Sequence, residues 1–134
     1  KHINVFGTMK EVFLCLKRNE VLGIAMDGGG GKKRVATDFL GRRAFFSTGA
    51  MEIAERTRCA VLPTFIVRGG GGGHRLIIEP PMEIAMEEDS VERNTAAFVR
   101  RLDEYVRRHP CHYLGFLAFR RFMEENGDEP FFKS

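Results

Sequence analysis

The stretch Ser47-Thr48-Gly49-Ala50-Met51-Glu52-Ile53-Ala54-Glu55-Arg56-Thr57-Arg58-Cys59-Ala60-Val61-Leu62-Pro63-Thr64-Phe65-Ile66-Val67-Arg68 decides how this chain is read. Ser47 or Thr48 offers a hydroxyl to the unpaired N–H groups of a helix start. The helix runs to about Arg58, with Glu52 and Arg56 one turn apart on its surface. Cys59 to Val67 is then apolar nearly throughout, the composition of a strand covered on both faces. Upstream, Val21 to Met26 is a short apolar run and reads as an earlier strand. Strand, helix, strand in that order predicts parallel pairing through a right-handed crossover. The expected fold class is therefore α/β, with a mixed, mainly parallel sheet flanked by helices.

Working outward, Thr8-Met9-Lys10-Glu11 forms a capping box, and Met9, Val12, Phe13 and Leu16 recur at helical spacing until Asn19. Asp27 follows the first strand at its C-terminal end, the edge where ligands of open α/β sheets gather. Gly28 to Arg34 is a loop of glycines and cations. Beyond the quoted stretch, Gly69 to Gly73 is a loop, and Arg75 to Glu79 returns as an antiparallel partner until Pro80 and Pro81 end the ladder. Five consecutive glycines leave such a hairpin's register weakly specified. A third helix runs from about Asp89 to His109, with Asp89-Ser90-Val91-Glu92 as its cap. Acidic residues crowd its start and arginines its end, and Val91, Thr95, Phe98, Leu102 and Tyr105 form its inner face. Leu114 to Glu125 reads as a final short helix that exits at Asn126-Gly127.

The 134 residues suit one domain, here 1–134. The balance of 21 Lys and Arg against 18 Asp and Glu is too even to imply nucleic acid, though it suits work near anionic head groups. Three cysteines, at 15, 59 and 111, are odd in number and widely spaced, which argues against a disulfide framework or a zinc site. No apolar run approaches the roughly 18 to 20 residues that span a bilayer. No signal peptide is visible, and the chain opens on Lys1, as a processed product or a piece of something longer would.

Of the four histidines, only His74 has a carboxylate five positions later, Glu79. That pair lies in the expected returning strand, where odd spacing points side chains to opposite faces and five residues span roughly 16 Å, so it is no acid–base dyad. Gly31-Lys32-Lys33 fails as a Walker loop, since Met26 stands where the first glycine belongs and Lys33 replaces Ser or Thr. The cations Lys32, Lys33, Arg34, Arg42, Arg43 and Arg68 fall in loops or at strand ends, where they can converge on the edge that carries Asp27 and grip phosphate. For any single one of them a solvated surface is the commoner explanation, and Arg68, which ends the apolar strand, is the strongest candidate. Asp27 before a glycine also fits a simple turn. The many phenylalanines, from Phe45 and Phe46 to Phe131 and Phe132, fit a core or an acyl-chain surface.

The order of Asp27, the segment Asp38-Phe39-Leu40-Gly41-Arg42-Arg43-Ala44-Phe45-Phe46-Ser47-Thr48-Gly49, then Ile66-Val67-Arg68, Glu79-Pro80-Pro81 and Phe119-Arg120-Arg121 resembles the C-terminal half of the lipid A biosynthesis acyltransferases, the lauroyl/myristoyl transferase family. The chain departs from that family at Gly28, usually Gln, and at Phe119, usually His. The resemblance implies an incomplete α/β fold like that of glycerol-phosphate acyltransferases. It implies transfer of a fatty acyl chain from acyl carrier protein or CoA to a hydroxyl of an anionic glycolipid precursor, with no metal and no cofactor. It places Asp27 at the catalytic rim and Arg68, Arg120 and Arg121 at the substrate, where the charge argument adds Lys32, Lys33, Arg34, Arg42 and Arg43. The His-x-x-x-x-Asp/Glu base dyad is expected upstream of Asp27, outside this chain. The implied location is the cytoplasmic face of a Gram-negative inner membrane, anchored through a region preceding Lys1. Two alternatives stand beside it: a non-enzymatic basic module for anionic lipid or nucleic acid, and an acyltransferase acting on another phospholipid or glycolipid.

Overall fold

A computed structural model describes residues 9–27 and 32–113. In chain order the elements are α1 (Met9–Lys17), β1 (Arg34–Phe39), β2 (Arg42–Ser47), α2 (Gly49–Thr57), β3 (Thr64–Arg68), β4 (His74–Ile78) and α3 (Ser90–Arg108), with short 3-10 turns at Gly70–Gly72 and Pro110–His112. The fold mixes helices and strands as expected, but both sheets are two-stranded and antiparallel, β1 with β2 and β3 with β4.

The expected mainly parallel sheet does not form. Residues 21–26 belong to no strand, and Val21 is 96% exposed. With no ladder partner for that run, the crossover has nothing to return to, and the apolar composition that suggested a strand is satisfied only by Met26 against the core. Instead Arg34 to Phe39, the end of the expected loop and the start of the quoted motif, pairs with Arg42 to Ser47. Leu40 and Gly41 connect them with φ of 54° and 79°. Positive φ at both central residues is the signature of a type I′ turn, whose twist matches the strands it joins. Leucine at that position is unusual, because its Cβ crowds the backbone there. The turn is held by a hydrogen bond from the Leu40 N–H to Asp103 Oδ1 at 2.5 Å.

Helix α3 organises the rest. Asn94, Thr95, Phe98, Val99, Leu102 and Val106 are buried along it, the three- and four-residue spacing of one helical face. Phe39, Ala44 and Phe46 of the first hairpin and Phe65 of the second share a core with it, along with Met51 of α2. Phe39 meets Phe46 edge-to-face at 5.3 Å and Tyr113 at 5.7 Å, while Phe65 stacks on Tyr105 at 3.8 Å. Strand β3 alternates between exposed and buried positions. The expected strand covered on both faces is therefore covered on one, the usual state of an antiparallel hairpin packed on a helix.

The helix ends show which local signals survive. Asn19 ends α1 with φ 58°, its N–H donating to the Leu16 carbonyl and that of Glu20 to Cys15. These are the paired bonds of a Schellman motif, and asparagine is one of the few residues that tolerates its left-handed position. Of the expected caps of α2, Ser47 serves, its Oγ accepting from the Gly49 N–H at 3.4 Å, and Thr48 does not; the expected cap of α3 does not form. Thr48 Oγ1 donates to Glu52 and Ser90 Oγ to Glu55, and neither Thr48 nor Asp89 caps with its side chain. Glu52 takes Lys33 at 3.6 Å rather than Arg56 as its ion-pair partner. The start of α1 at Thr8 and the expected final helix from Leu114 lie outside the described residues.

Candidate functional site

The hairpin β1–β2 divides the expected cations into two groups. Lys32, Lys33 and Arg34 precede or open β1 and line an open cavity of about 700 Å³ between the starts of α2 and α3. That cavity also carries Arg56 and the carboxylates Glu52, Glu55, Glu87, Asp89 and Glu92. Five acidic groups against four basic ones make it a poor pocket for an anion by itself. Arg42 and Arg43 stand at the other end of the same hairpin, opposite Phe39 and Asp38. Five residues of strand separate the two groups, roughly 17 Å.

Arg68 ends β3 and pairs across the ladder with His74, on the exposed face. It lies three residues beyond Phe65, whose ring stacks on Tyr105 in the last turns of α3. Asp27 is also exposed, and its carbonyl accepts a hydrogen bond from the Tyr113 hydroxyl at 2.6 Å. Burial pushes the Tyr113 phenol well above its ordinary value, and the nearby Asp27 carboxylate adds to the rise. Asp27 is thus tied to a residue just past the C-terminal end of α3, whereas Arg68 stands on the face of β3 opposite to Phe65. Among the described residues no hydrogen bond or ion pair joins them to each other. Arg120 and Arg121, and the phenylalanines at 116, 119, 122, 131 and 132, lie outside the described residues.

The formal dyad His74 and Glu79 is separated as the strand argument requires. His74 opens β4 on the outer face, while Glu79 accepts a hydrogen bond from Arg101 Nη1 at 2.7 Å. Glu79 is committed to that ion pair and cannot orient the His74 imidazole. His109 and His112 stack on each other at 5.5 Å beyond α3. No three His, Cys, Asp or Glu side chains gather as metal ligands among the described residues.

Several residues that hold these positions escape a sequence reading. Asn94 is buried; its Oδ1 accepts from the Ala85 N–H at 3.0 Å, and its Nδ2 donates to the Ala85 carbonyl and to Glu55 Oε1, both at 2.9 Å. One side chain therefore fixes the segment entering α3 and ties α2 to it. Its signal was an amide at the buried spacing of an otherwise apolar stripe, three residues after Val91. Asp103 looks from sequence like half of a surface pair with Arg107. It also accepts the Leu40 N–H, so it pins the first hairpin. Burial pushes the Asp103 carboxyl up, but the bonds from Arg107 and from the Leu40 N–H outweigh it and leave the group below its ordinary value.

The chain matches the bacterial lipid A biosynthesis acyltransferase family over residues 2–122 and is a member of it. No curated protein matches it. No helix among the described residues is long and apolar enough to cross a membrane.

Proposed function

We propose that this chain forms the acceptor-binding part of an acyltransferase of lipid A biosynthesis. In this reading a fatty acyl chain passes from acyl carrier protein or CoA to a hydroxyl of an anionic glycolipid precursor, at the cytoplasmic face of the inner membrane. The observation that carries the reading is the family match over residues 2–122. Arg68 grips a phosphate of the acceptor, where a guanidinium offers two parallel hydrogen bonds. Asp27, held through its carbonyl by Tyr113, lies at the rim. Arg42 and Arg43, at the far end of the first hairpin, contribute long-range attraction.

The chemistry requires a general base for the attacking hydroxyl. His74 does not supply it, since its only spaced carboxylate is paired with Arg101. His2, His109 and His112 are followed at the fifth position by Gly7, Leu114 and Leu117. The 134-residue chain on its own is therefore expected to bind the acceptor without turning it over.

Two measurements test this. The complete product of the gene that encodes this sequence is expected to move a labelled acyl group from acyl carrier protein or CoA onto a lipid A precursor, and Arg68→Ala is expected to weaken acceptor use about tenfold or more. Lipid A of unchanged acyl content after deletion of the gene would remove the assignment. Turnover by the isolated 134-residue chain would show that a base has been overlooked.

A further inference from the structure

The two hairpins present different outer faces. On β1–β2 that face carries the pairs Arg34 and Ser47, Ala36 and Phe45, and Asp38 and Arg43, of which Asp38 and Arg43 are exposed and the rest half-buried. On β3–β4 the cross-strand partners Thr64 and Ile78, Ile66 and Leu76, and Arg68 and His74 stand on one face. Ile66 is 63% exposed, Ile78 59% and Leu76 56%, and Leu62 continues the patch beyond the strand. No carboxylate belongs to this face. Its charge is Arg68 at one end, beside His74; Arg75 pairs with Val67 and stands on the opposite face.

Large apolar side chains gathered on one exposed face mark a contact surface rather than a solvated one. Its size helps identify the partner. Two strands of five residues make a patch about 17 Å long and about 10 Å wide. That is well short of the roughly 800 Å² per partner that a stable protein interface buries. A lipid surface sets no such minimum, because apolar insertion and charge attraction add over whatever area is offered. The apolar patch with Arg68 at one end and no acid matches the division between acyl chains and anionic head groups, and the Arg68 stem can lie along the apolar part while its head stays wet.

We infer that the outer face of β3–β4 docks on an anionic lipid bilayer, with Ile66, Leu76 and Ile78 at the acyl boundary and Arg68 among the head groups. This docking rests on the apolar patch and requires nothing of Asp27.

The chain contains no Trp, so Ile66→Trp supplies a single fluorescent reporter at the centre of the patch. Vesicles of equal parts phosphatidylglycerol and phosphatidylcholine are expected to shift its emission to shorter wavelength and shield it from iodide. Salt is expected to weaken the effect. Phosphatidylcholine alone should give much less, and Met86→Trp, on the segment before α3, should not respond. In the otherwise unaltered chain, Ile66→Ser with Leu76→Ser is expected to lower partitioning onto the anionic vesicles about tenfold or more, with circular dichroism unchanged. The inference is overturned by a reporter that anionic vesicles do not shift, or one already shielded without lipid, which would mean that another segment of the chain covers the face. It is equally overturned by serine variants that bind as before, or by a dimer in sedimentation that those variants dissolve. None of these readings involves acyl transfer, so their failure leaves the enzymatic assignment untouched.

Discussion

The two hairpins share an antiparallel topology and lean on the same helix, yet they are secured in different ways. The first closes through a two-residue turn, and its inner residues Phe39, Ala44 and Phe46 are fully buried. Asp103 grips its turn, and its outer face exposes the charged pair Asp38 and Arg43 while Ala36 and Phe45 are half-buried there. The second closes through five glycines, buries Phe65 and Val67, and leaves an apolar outer face exposed. A two-stranded sheet is marginal by itself, so each hairpin is as stable as what it packs against. The apolar residues on the outer face of the first, Ala36 and Phe45, are half-buried, while Ile66, Leu76 and Ile78 on that of the second are exposed.

The largest test of that contrast is a pair of truncations. Phe46→Ala empties a fully buried site and is expected to cost about 3–5 kcal/mol in urea unfolding. Ile66→Ala on the second hairpin is expected to stay within about 1 kcal/mol. Equal costs would break the comparison by showing that the outer face of β3–β4 is buried in solution. Next in size is Asn94→Ala, expected to cost about 2–3 kcal/mol because both polar groups of the Ala85 backbone lose their partner. Hydrogen exchange at Ala85 should rise with it.

Asp103→Ala sharpens the account of the first hairpin. It frees the Leu40 N–H and is expected to cost about 1–2 kcal/mol and to speed exchange in β1 and β2 while sparing β3 and β4. The folded-state pKa of Asp103 is depressed. Its contribution is therefore complete above the unfolded carboxyl value of about 3.9 and disappears as pH falls through the lower folded value. An acid-unfolding profile should lose that component in the alanine variant.

Tyr113→Phe is the smallest, about 1 kcal/mol at neutral pH, from one hydrogen bond to the Asp27 carbonyl. Because the folded phenol is raised, its contribution is full below the unfolded value of about 10 and declines as pH climbs above it. The phenylalanine variant should show a flatter alkaline limb.

The helices and the β3–β4 hairpin were legible before any coordinates. Met9 to Asn19 and Asp89 to His109 carry their own period and stop signals, and the expected strand Arg75 to Glu79 appears one residue earlier, as His74–Ile78. The first hairpin was not legible. Arg34 to Phe39 has no run of apolar residues, and its turn uses Leu40 where asparagine or glycine would announce it. Of the expected caps Ser47 serves, on the Gly49 N–H, but Thr48 and Ser90 misled for a related reason: their hydroxyls are of the right type, and glutamates from the same or a neighbouring helix take them. Among the candidate site residues, the sequence pointed to Arg68 at a strand end. It could not show that Lys33 and Arg43 sit at opposite ends of one hairpin, because that separation depends on a pairing it did not reveal.

Local chemistry alone determined the helix faces, the glycine-linked hairpin, the absence of a usable His-carboxylate dyad and the family resemblance, since each depends on residues close together in the chain or on their order. Tertiary structure decided the sheet topology, the scattering of the cations and the roles of Asn94, Asp103 and Tyr113. Each of those rests on a contact between segments far apart in the chain, such as Leu40 with Asp103 or Asp27 with Tyr113. Composition can supply the two partners of such a contact, but only packing around α3 brings them within hydrogen-bonding distance.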